Sequence, residues 1–469
     1  VGNSDTFIFK STFPCLARDL YDWHSRPGAL ERLIPPWERT AVLSKHGGIR
    51  PGGRAEMRMH LGPFPYRWAA RHVEDRPGVM FRDIQEKGPF SSWSHSHFFT
   101  DTAEGSLLED RIAFSLPAHA LLPGLVKKQV HRILERVFRY RHATLREDLI
   151  LHASCSKTPL RILVTGASGV LGRALLPLLT TGGHQVWTLV RHRPALEKNE
   201  VYWDPLGGVI DTQNLPPDLD GVIHLAGEYI GLNRWSEEKK RKVVDSRTMG
   251  TSLLAKTLGA LPVPPKVFLS ASAVGFYGEN RQQGLDEDTA PGGHFISRIC
   301  DLWEKSAAPA QDAGIRTVLL RIGVVLTPRG GALRQLLGAS PFGIFRSFGK
   351  GDQCVSWIGL DDTLGALLHC LANSTLNGPV NIVAPAPVTN REMMQTVARV
   401  LGRPVFPPLP AWLLKTLYGQ MATEILLSGC HVSTAKLTAS GFQFRHPEME
   451  GLLRRQLCRE PVTIQEGEK

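Results

Sequence analysis

From Thr6 to Phe13 (TFIFKSTF) apolar and polar side chains alternate with a period of two, which predicts an opening strand. Cys15 to Leu33 then shows short helical spacing broken by Pro-Gly, and the pattern stops at Ile34-Pro35-Pro36-Trp37. Six further segments alternate like strands between Gly and Pro punctuation: ERTAVLSK, GRAEMRMHL, YRWAARHVED, VMFRDIQEK, SSWSHSHFF and LLEDRIAFSL. Leu125 to Leu149 places Val126, Val130, Ile133, Val137 and Leu145 at helical spacing. Lys127, Lys128, Arg132, Arg136, Arg139 and Arg146 crowd its other face, which reads as solvated. The expectation for residues 1–152 is therefore an α+β domain in which a strand, short helices and a meander are closed by one long helix. Residues 153–158, within the polar stretch HASCSKT, read as a linker.

Beyond the linker the pattern changes to short β-rich runs alternating with helices, the signature of an α/β domain with a parallel sheet. Leu160 to Thr165 (LRILVT) is a strand, GASGVLG a glycine turn, and RALLPLLTTGGH a helix ending in glycines. HQVWTLV, GVIHLAG and VFLSASAVGFYG follow as strands, with a helix from Ser236 to Leu258. Helices are also expected around Leu413 to Leu427 and Glu448 to Leu457.

Length agrees with this division, since 469 residues exceed what one hydrophobic core usually organises. The net charge is +11, yet no nucleic-acid motif accompanies it, so a basic, well-solvated surface is expected, with a phosphorylated cofactor as the anionic partner. Seven dispersed cysteines without CxxC spacing read as reduced thiols. The first residues lack a basic segment followed by an apolar run, and no stretch reaches a membrane span. A soluble, cytoplasmic protein is expected, with no membrane span and no nucleic-acid partner.

The chemistry concentrates at the glycine turn. Gly166 permits a tight turn, the bare backbone of Gly169 lets a diphosphate approach, and Gly172 allows the helix to pack closely, with the helix N-terminus offering free amides to the diphosphate. The spacing is GxxGxxG. About 20 residues beyond the last glycine, where an NAD site places an acid for the ribose, stands Arg191. A guanidinium suits the 2′-phosphate of NADP through charge-assisted hydrogen bonds, whereas a carboxylate would repel it. Leu225, Ala226 and Gly227 end the next strand with residues that can pass under an adenosine or bridging ribose. Ser270, Ser272 and Tyr277 come to the carboxyl edge of the sheet, where ligands bind.

In the first domain Trp23, Trp68, Phe81, Trp93 and Phe98 read equally as core or as the wall of an apolar ligand cavity. His95 and His97 point to one side of a strand as a chelating pair would, but no acidic or thiol partner stands at recognisable spacing. A structural role is expected and no metal site.

With VTGASGVLG, HLAGE, LSASAVGFYG, VSWIGLDD and GPVNIVAPAPVTNREM in this order, the chain from Leu160 resembles the extended short-chain dehydrogenase/reductases, the NAD(P)-dependent epimerase/dehydratases. LAGEYI, Arg234-Trp235, Ser246-Arg247, LRIGVVL and the C-terminal LLSGCHVSTAKLTASGFQFRHPEMEGLL are similar to the branch labelled sugar-nucleotide epimerase of the cell-division-inhibitor type. The element order of residues 1–152 resembles the START-like (SRPBCC) polyketide cyclase/dehydrase and lipid-transport superfamily, a helix-grip fold with an apolar ligand cavity. Some members of the epimerase branch carry such a domain in front.

The resemblance implies a doubly wound Rossmann domain over 159–410 and a C-terminal, DUF1731-like helical segment over 411–469 that covers the substrate side of the crevice. It implies contacts to NADP(H) from Gly166, Ser168, Gly169, Val170, Leu171, Gly172, Val190, Arg191, Leu225, Ala226, Arg247 and Val325, and an active-site hydroxyl at Ser272. The superfamily's Tyr-x-x-x-Lys pair is absent: His294 and Arg298 stand at the corresponding positions, and Tyr277 is a second candidate acid. The expected function is an NADP(H)-dependent oxidoreductase or epimerase-like enzyme acting on an unknown small carbonyl or sugar-nucleotide-like substrate. The alternatives are a catalytically degenerate NADP(H) sensor, or a carrier of an apolar ligand in the N-terminal domain.

Overall fold

The computed structural model describes residues 4–118, 122–155, 158–231, 233–339 and 343–460, without the side chains of 280–283 and 339. Residues 156 and 157 of the expected linker and 461–469 of the C-terminal segment lie outside the described residues. The chain divides into two compact units, one of residues up to Lys157 together with Pro177–Gly183, and one of Thr158–Leu176 and His184–Arg459.

In the first unit β1 (Asp5–Phe13), α1 (Ala17–Ser25) and α2 (Ala29–Arg32) are followed by β2 (Ala41–His46), β3 (Arg54–Leu61), β4 (Phe64–Arg76), β5 (Met80–Lys87), β6 (Ser92–Thr102) and β7 (Gly105–Ser115). A long helix, α3 (Pro123–Cys155), ends the unit. The strands form one antiparallel sheet in the order β1-β7-β6-β5-β4-β3-β2, so the first strand is placed beside the last. This is the helix-grip arrangement. α3 continues to Cys155, so residues 153–155 are helical where a linker was expected.

The buried stripe of α3 also differs from the expected one. Val137 and Leu145 are buried, but Val126 and Ile133 are exposed, and the stripe runs through Leu134, Phe138, His142 and Asp148. Polar residues enter it because they find partners: Asp148 takes a bidentate pair of hydrogen bonds from Arg32 at 2.6 and 2.8 Å, fastening α2 to α3. On the sheet, Phe99 faces Leu108, His97 faces Asp110, His95 faces Ile112 and Trp93 faces Phe114. Side chains two apart share a face, so a polar band crosses an otherwise apolar surface. Trp23, Trp68 and Phe81 are buried. Phe98 falls on the opposite face of β6, under the Arg111 guanidinium, and so leaves the group of aromatics read as core or as the wall of one cavity.

From Thr158 on, the chain forms β8 (Arg161–Thr165), α4 (Val170–Thr181), β9 (Gln185–Val190), β10 (Glu200–Asp204), β11 (Val209–Ile210), β12 (Gly221–His224), α5 (Glu237–Gly259), β13 (Val267–Ala273) and β14 (Asn280–Leu285). There follow α6 (Phe295–Lys305), α7 (Ala308–Asp312), β15 (Arg316–Ile322), β16 (Val324–Leu326), α8 (Gly331–Ala339), β17 (Cys354–Val355), β18 (Trp357–Gly359), α9 (Leu360–Ala372) and β19 (Gly378–Ile382). The chain ends with β20 (Val388–Thr389), α10 (Asn390–Leu401), α11 (Ala411–Tyr418), β21 (Cys430–Val432), α12 (Ala435–Ala439) and α13 (Met449–Gln456).

The main sheet has the order β11-β10-β9-β8-β12-β13-β15-β19, parallel throughout except for β11. β10 is a strand that the hydrophobic pattern does not single out, being five residues long. Connections run outward on both sides of β8 and β12, which makes the carboxyl ends of these two strands the topological switch point and the place for a ligand. In the C-terminal segment the helix expected over Leu413 to Leu427 stops at Tyr418, where Gly419 turns with φ +60°, and a single π-helical turn covers Ala422–Leu426. Among the described residues no helix is long and apolar enough to cross a membrane.

Candidate cofactor and active site

The glycine turn leaves β8 at the switch point. Gly166 has φ +72°, and a Cβ there would lie 2.7 Å from the carbonyl carbon of Leu225 and 2.8 Å from the nitrogen of Ala226, so only hydrogen fits against the neighbouring strand end. A Cβ on Gly172 would lie 2.6 Å from Ala167 Cα and closer still to the Gly166 carbonyl, which locks the first turn of α4 onto the loop. Gly169 is different. Among the described residues a Cβ there would meet only the Gly166 oxygen, at 3.2 Å, with its other side open. These positions suit a cradle for a diphosphate at the start of α4.

A buried network fixes the loop from below. Thr165 Oγ1 accepts the amides of Leu225 (3.2 Å) and Ala226 (3.1 Å), so its own proton goes to His224 Nδ1 at 2.7 Å. The remaining imidazole proton then sits on Nε2, which faces Thr251 Oγ1 at 3.0 Å, and that oxygen also accepts Trp303 Nε1–H at 3.0 Å. Burial pushes His224 down to about 4, so it stays neutral in this relay. The network ties β8, β12, α5 and α6 together, and no spacing in the sequence points to it.

Arg191 stands exposed just beyond the end of β9, after Val190. Arg247 is half-buried on α5. Its Nη1 donates to the carbonyls of Glu228 (3.0 Å) and Val243 (3.2 Å), and its guanidinium lies over the Trp303 ring. Its neighbour Ser246 accepts the Glu228 amide at 2.9 Å, so Ser246-Arg247 together clamp the segment after Ala226. Val325 lies in β16, paired with Ile358.

Ser272 and Tyr277 do not face open space. Ser272 Oγ donates to Glu304 Oε1 at 2.6 Å, while Glu304 also receives Arg321 through Nε and Nη2, both at 2.9 Å. Arg321 Nη1 donates to Tyr277 Oη at 3.0 Å, and that hydroxyl donates to Asn381 at 2.7 Å. Tyr277 is 1% exposed, and burial raises it to about 12. A proton donor was expected here, but the side chain is a pillar of the core beneath the crevice.

His294 is the half-buried residue just before α6, and Arg298 is exposed one turn further on. The two are joined by the Arg298 amide donating to the His294 carbonyl. Glu424, from the π-helical turn, accepts the amides of Phe295 (3.2 Å) and Ile296 (3.0 Å), so the C-terminal segment reaches the N-terminus of the helix that carries His294. Glu424 is another participant that the sequence pattern leaves unmarked.

The fold and the site define an extended short-chain dehydrogenase/reductase of the epimerase/dehydratase class. Residues 162–382 match the NAD dependent epimerase/dehydratase family, residues 15–140 match polyketide cyclase/dehydrase and lipid transport, and residues 409–456 match a domain of unknown function, DUF1731. An epimerase family protein of Mycobacterium leprae is 37% identical over 285 residues, covering 61% of this chain and 92% of that one. The human epimerase family protein SDR39U1 is 36% identical over 299 residues, covering 63% and 99%. The chain belongs to this epimerase family. Among solved structures, the nucleoside-diphosphate sugar epimerase from Corynebacterium glutamicum matches 98% of this chain and 91% of its own length, at TM-score 0.78 and 29% identity. The human SDR39U1 structure, described as a complex with NADPH, matches 64% and 100%, at TM-score 0.59 and 34% identity.

Proposed function

We propose that the second unit is an NADP(H)-dependent oxidoreductase of the epimerase type acting on a small carbonyl or sugar-nucleotide-like compound. The observation that carries this reading is the glycine turn at the switch point, with open backbone at Gly169 and a cation, Arg191, at the end of the adjacent strand. The NADPH of the human relative's structure supports the same choice of nucleotide. Bound there, the nicotinamide would exchange hydride with a substrate carbon.

The remaining roles fall to side chains of this chain. Gly166 to Gly172 and the N-terminus of α4 hold the diphosphate. Arg191 takes the 2′-phosphate, while Val190, Leu225, Ala226 and Val325 border the nucleotide. His294 is the group that moves a proton, and Arg298 holds a ribose hydroxyl without itself releasing a proton. Ser272, Glu304 and Arg321 form the floor. Arg191→Asp removes charge-assisted bonds to the 2′-phosphate and adds repulsion, so NADPH affinity should fall by about 10- to 100-fold with NADH affinity little changed. Isothermal titration checks this, and equal losses for both nucleotides sink the 2′-phosphate role.

One observation favours a second reading, a nucleotide sensor: Ser272 and Tyr277 are both committed to a buried network. Turnover of NADPH or NADP⁺ against a panel of aldehydes, ketones and sugar nucleotides separates the two. Tight NADPH binding without any turnover supports the sensor and removes the oxidoreductase.

A further inference from the structure

The polar band on the inner face of the first unit has the makings of an ion site. Asp83 on β5 pairs directly with His95 on β6, and His97, two residues on, pairs with Asp110 on β7. Directly opposed residues and residues two apart share a face, so all four side chains project to the side that α3 covers. There His142 of α3 meets them, its Nε2 2.6 Å from Asp110 Oδ2. The two carboxylates sit at opposite ends of the two imidazoles. Asp110 Oδ1 is 2.9 Å from His95 Nε2 and 2.6 Å from His97 Nδ1. The other ring nitrogens, His95 Nδ1 and His97 Nε2, face Asp83 Oδ2 across 3.6 and 4.0 Å.

Those last separations are too long for hydrogen bonds and near what an ion between them would impose. One donor atom from each of Asp83, His95 and His97 lies within 4.8 Å of the other two. Ligands bonded to a tetrahedral ion at about 2.1 Å stand roughly 3.4 Å apart, so side-chain rotations of a few tenths of an ångström to about 1 Å close the set. We propose that Asp83, His95 and His97 bind a divalent first-row transition ion, with Asp110 as the carboxylate that holds the His95 imidazole from behind.

Two features beyond proximity support it. A metal-bound histidine characteristically gives its second ring nitrogen to a carboxylate, which fixes the tautomer and orients the ring, and Asp110 stands in that position for His95, while His97 Nδ1 lies beside the same carboxylate without hydrogen-bond alignment. Phe81 stacks on His97 with ring centroids 4.1 Å apart, so the ring is also held sideways. The side chains of Asp83 and His97 keep 13% and 12% of their surface accessible. Two imidazoles and one carboxylate suit zinc, iron(II), cobalt(II) or nickel(II), and three protein ligands leave at least one position for water or an oxygen donor of a small molecule.

The experiment uses the full chain, stripped with a chelator and titrated with Co²⁺ while visible absorption is followed. Expected is saturation at one ion per chain with ligand-field bands of nitrogen and oxygen donors, displaced by Zn²⁺. His95→Ala/His97→Ala should abolish the bands, and Asp110→Asn should weaken binding by about 10- to 100-fold through the lost orientation of the His95 imidazole. Circular dichroism establishes that each variant is folded. Absence of saturable cobalt binding by the unmutated chain overturns the proposal whatever the variants do. So does binding that persists in the double variant, or that shows the intense near-ultraviolet bands of thiolate ligands, which would place the ion on cysteines elsewhere.

Discussion

Gly166 and Gly169 lie three residues apart in one loop, yet replacing each by alanine should break different things. At Gly166 the backbone is left-handed, with φ +72°, which costs a β-carbon-bearing residue about 1–2 kcal/mol. The new methyl would also press on Leu225 and Ala226 backbone atoms at 2.7–2.8 Å, and that backbone is pinned by the hydrogen bonds of both amides to Thr165, adding about 1–3 kcal/mol. Gly166→Ala should therefore destabilise the second unit by about 2–5 kcal/mol and weaken nucleotide binding only as a consequence. At Gly169 the methyl meets one carbonyl oxygen at 3.2 Å and is otherwise free, so the loss of stability should stay below about 1 kcal/mol. The methyl stands where the diphosphate would approach, however, and NADPH affinity should fall by at least about tenfold. Chemical unfolding measures the first quantity and isothermal titration the second. Gly169→Ala binding NADPH as tightly as the unmutated chain would refute the cradle, and equal destabilisation by the two variants would refute the packing argument.

Two other outcomes follow from buried polar groups. Burial pushes His224 down to about 4 from its ordinary 6.5, so the unfolded chain binds the extra proton as pH falls, and stability that is full above about pH 7 should drop by about 2 kcal/mol by pH 5. Unfolding curves between these pH values test this, and His224→Asn, which has no titrating ring, should flatten the profile by that amount; an unchanged slope would remove His224 from the account. Arg321 and Glu304 have side chains only 4% and 8% exposed, so Arg321→Met leaves Glu304 uncompensated and should cost about 3–5 kcal/mol. Adding Glu304→Gln should restore part of that loss, and a double variant as unstable as the sum of the singles would show that the two side chains do not act as a pair.

The local pattern carried a great deal. Alternation from Thr6 to Leu116 and the long helical stretch from Leu125 are local properties, and they correspond to the strands and closing helix of the first unit. Strand, GxxGxxG and helix in direct succession likewise fix the Rossmann turn, because tight backbone approach demands glycine whatever lies further along the chain. The position of Arg191 was legible for the same reason: it directly follows the strand after the loop, at a distance set by one helix and one turn.

What the sequence could not decide was which distant residues face one another. Ser272 and Tyr277 lie at the carboxyl edge of β13 as expected, but whether their hydroxyls meet a substrate or Glu304, Arg321 and Asn381 depends on how α6, β15 and β19 pack against that strand. The buried stripe of α3 departs from its apolar stripe because His142 and Asp148 find partners, Asp110 on the sheet and Arg32 on α2, only once those elements have packed against it. His95 and His97 show the limit most clearly. Their spacing puts both on one face of a strand, while Asp83 and Asp110 join them through hydrogen-bond register with two neighbouring strands. Register is set by the assembled sheet, since slipping one strand by a single residue would turn every one of these side chains to the other face.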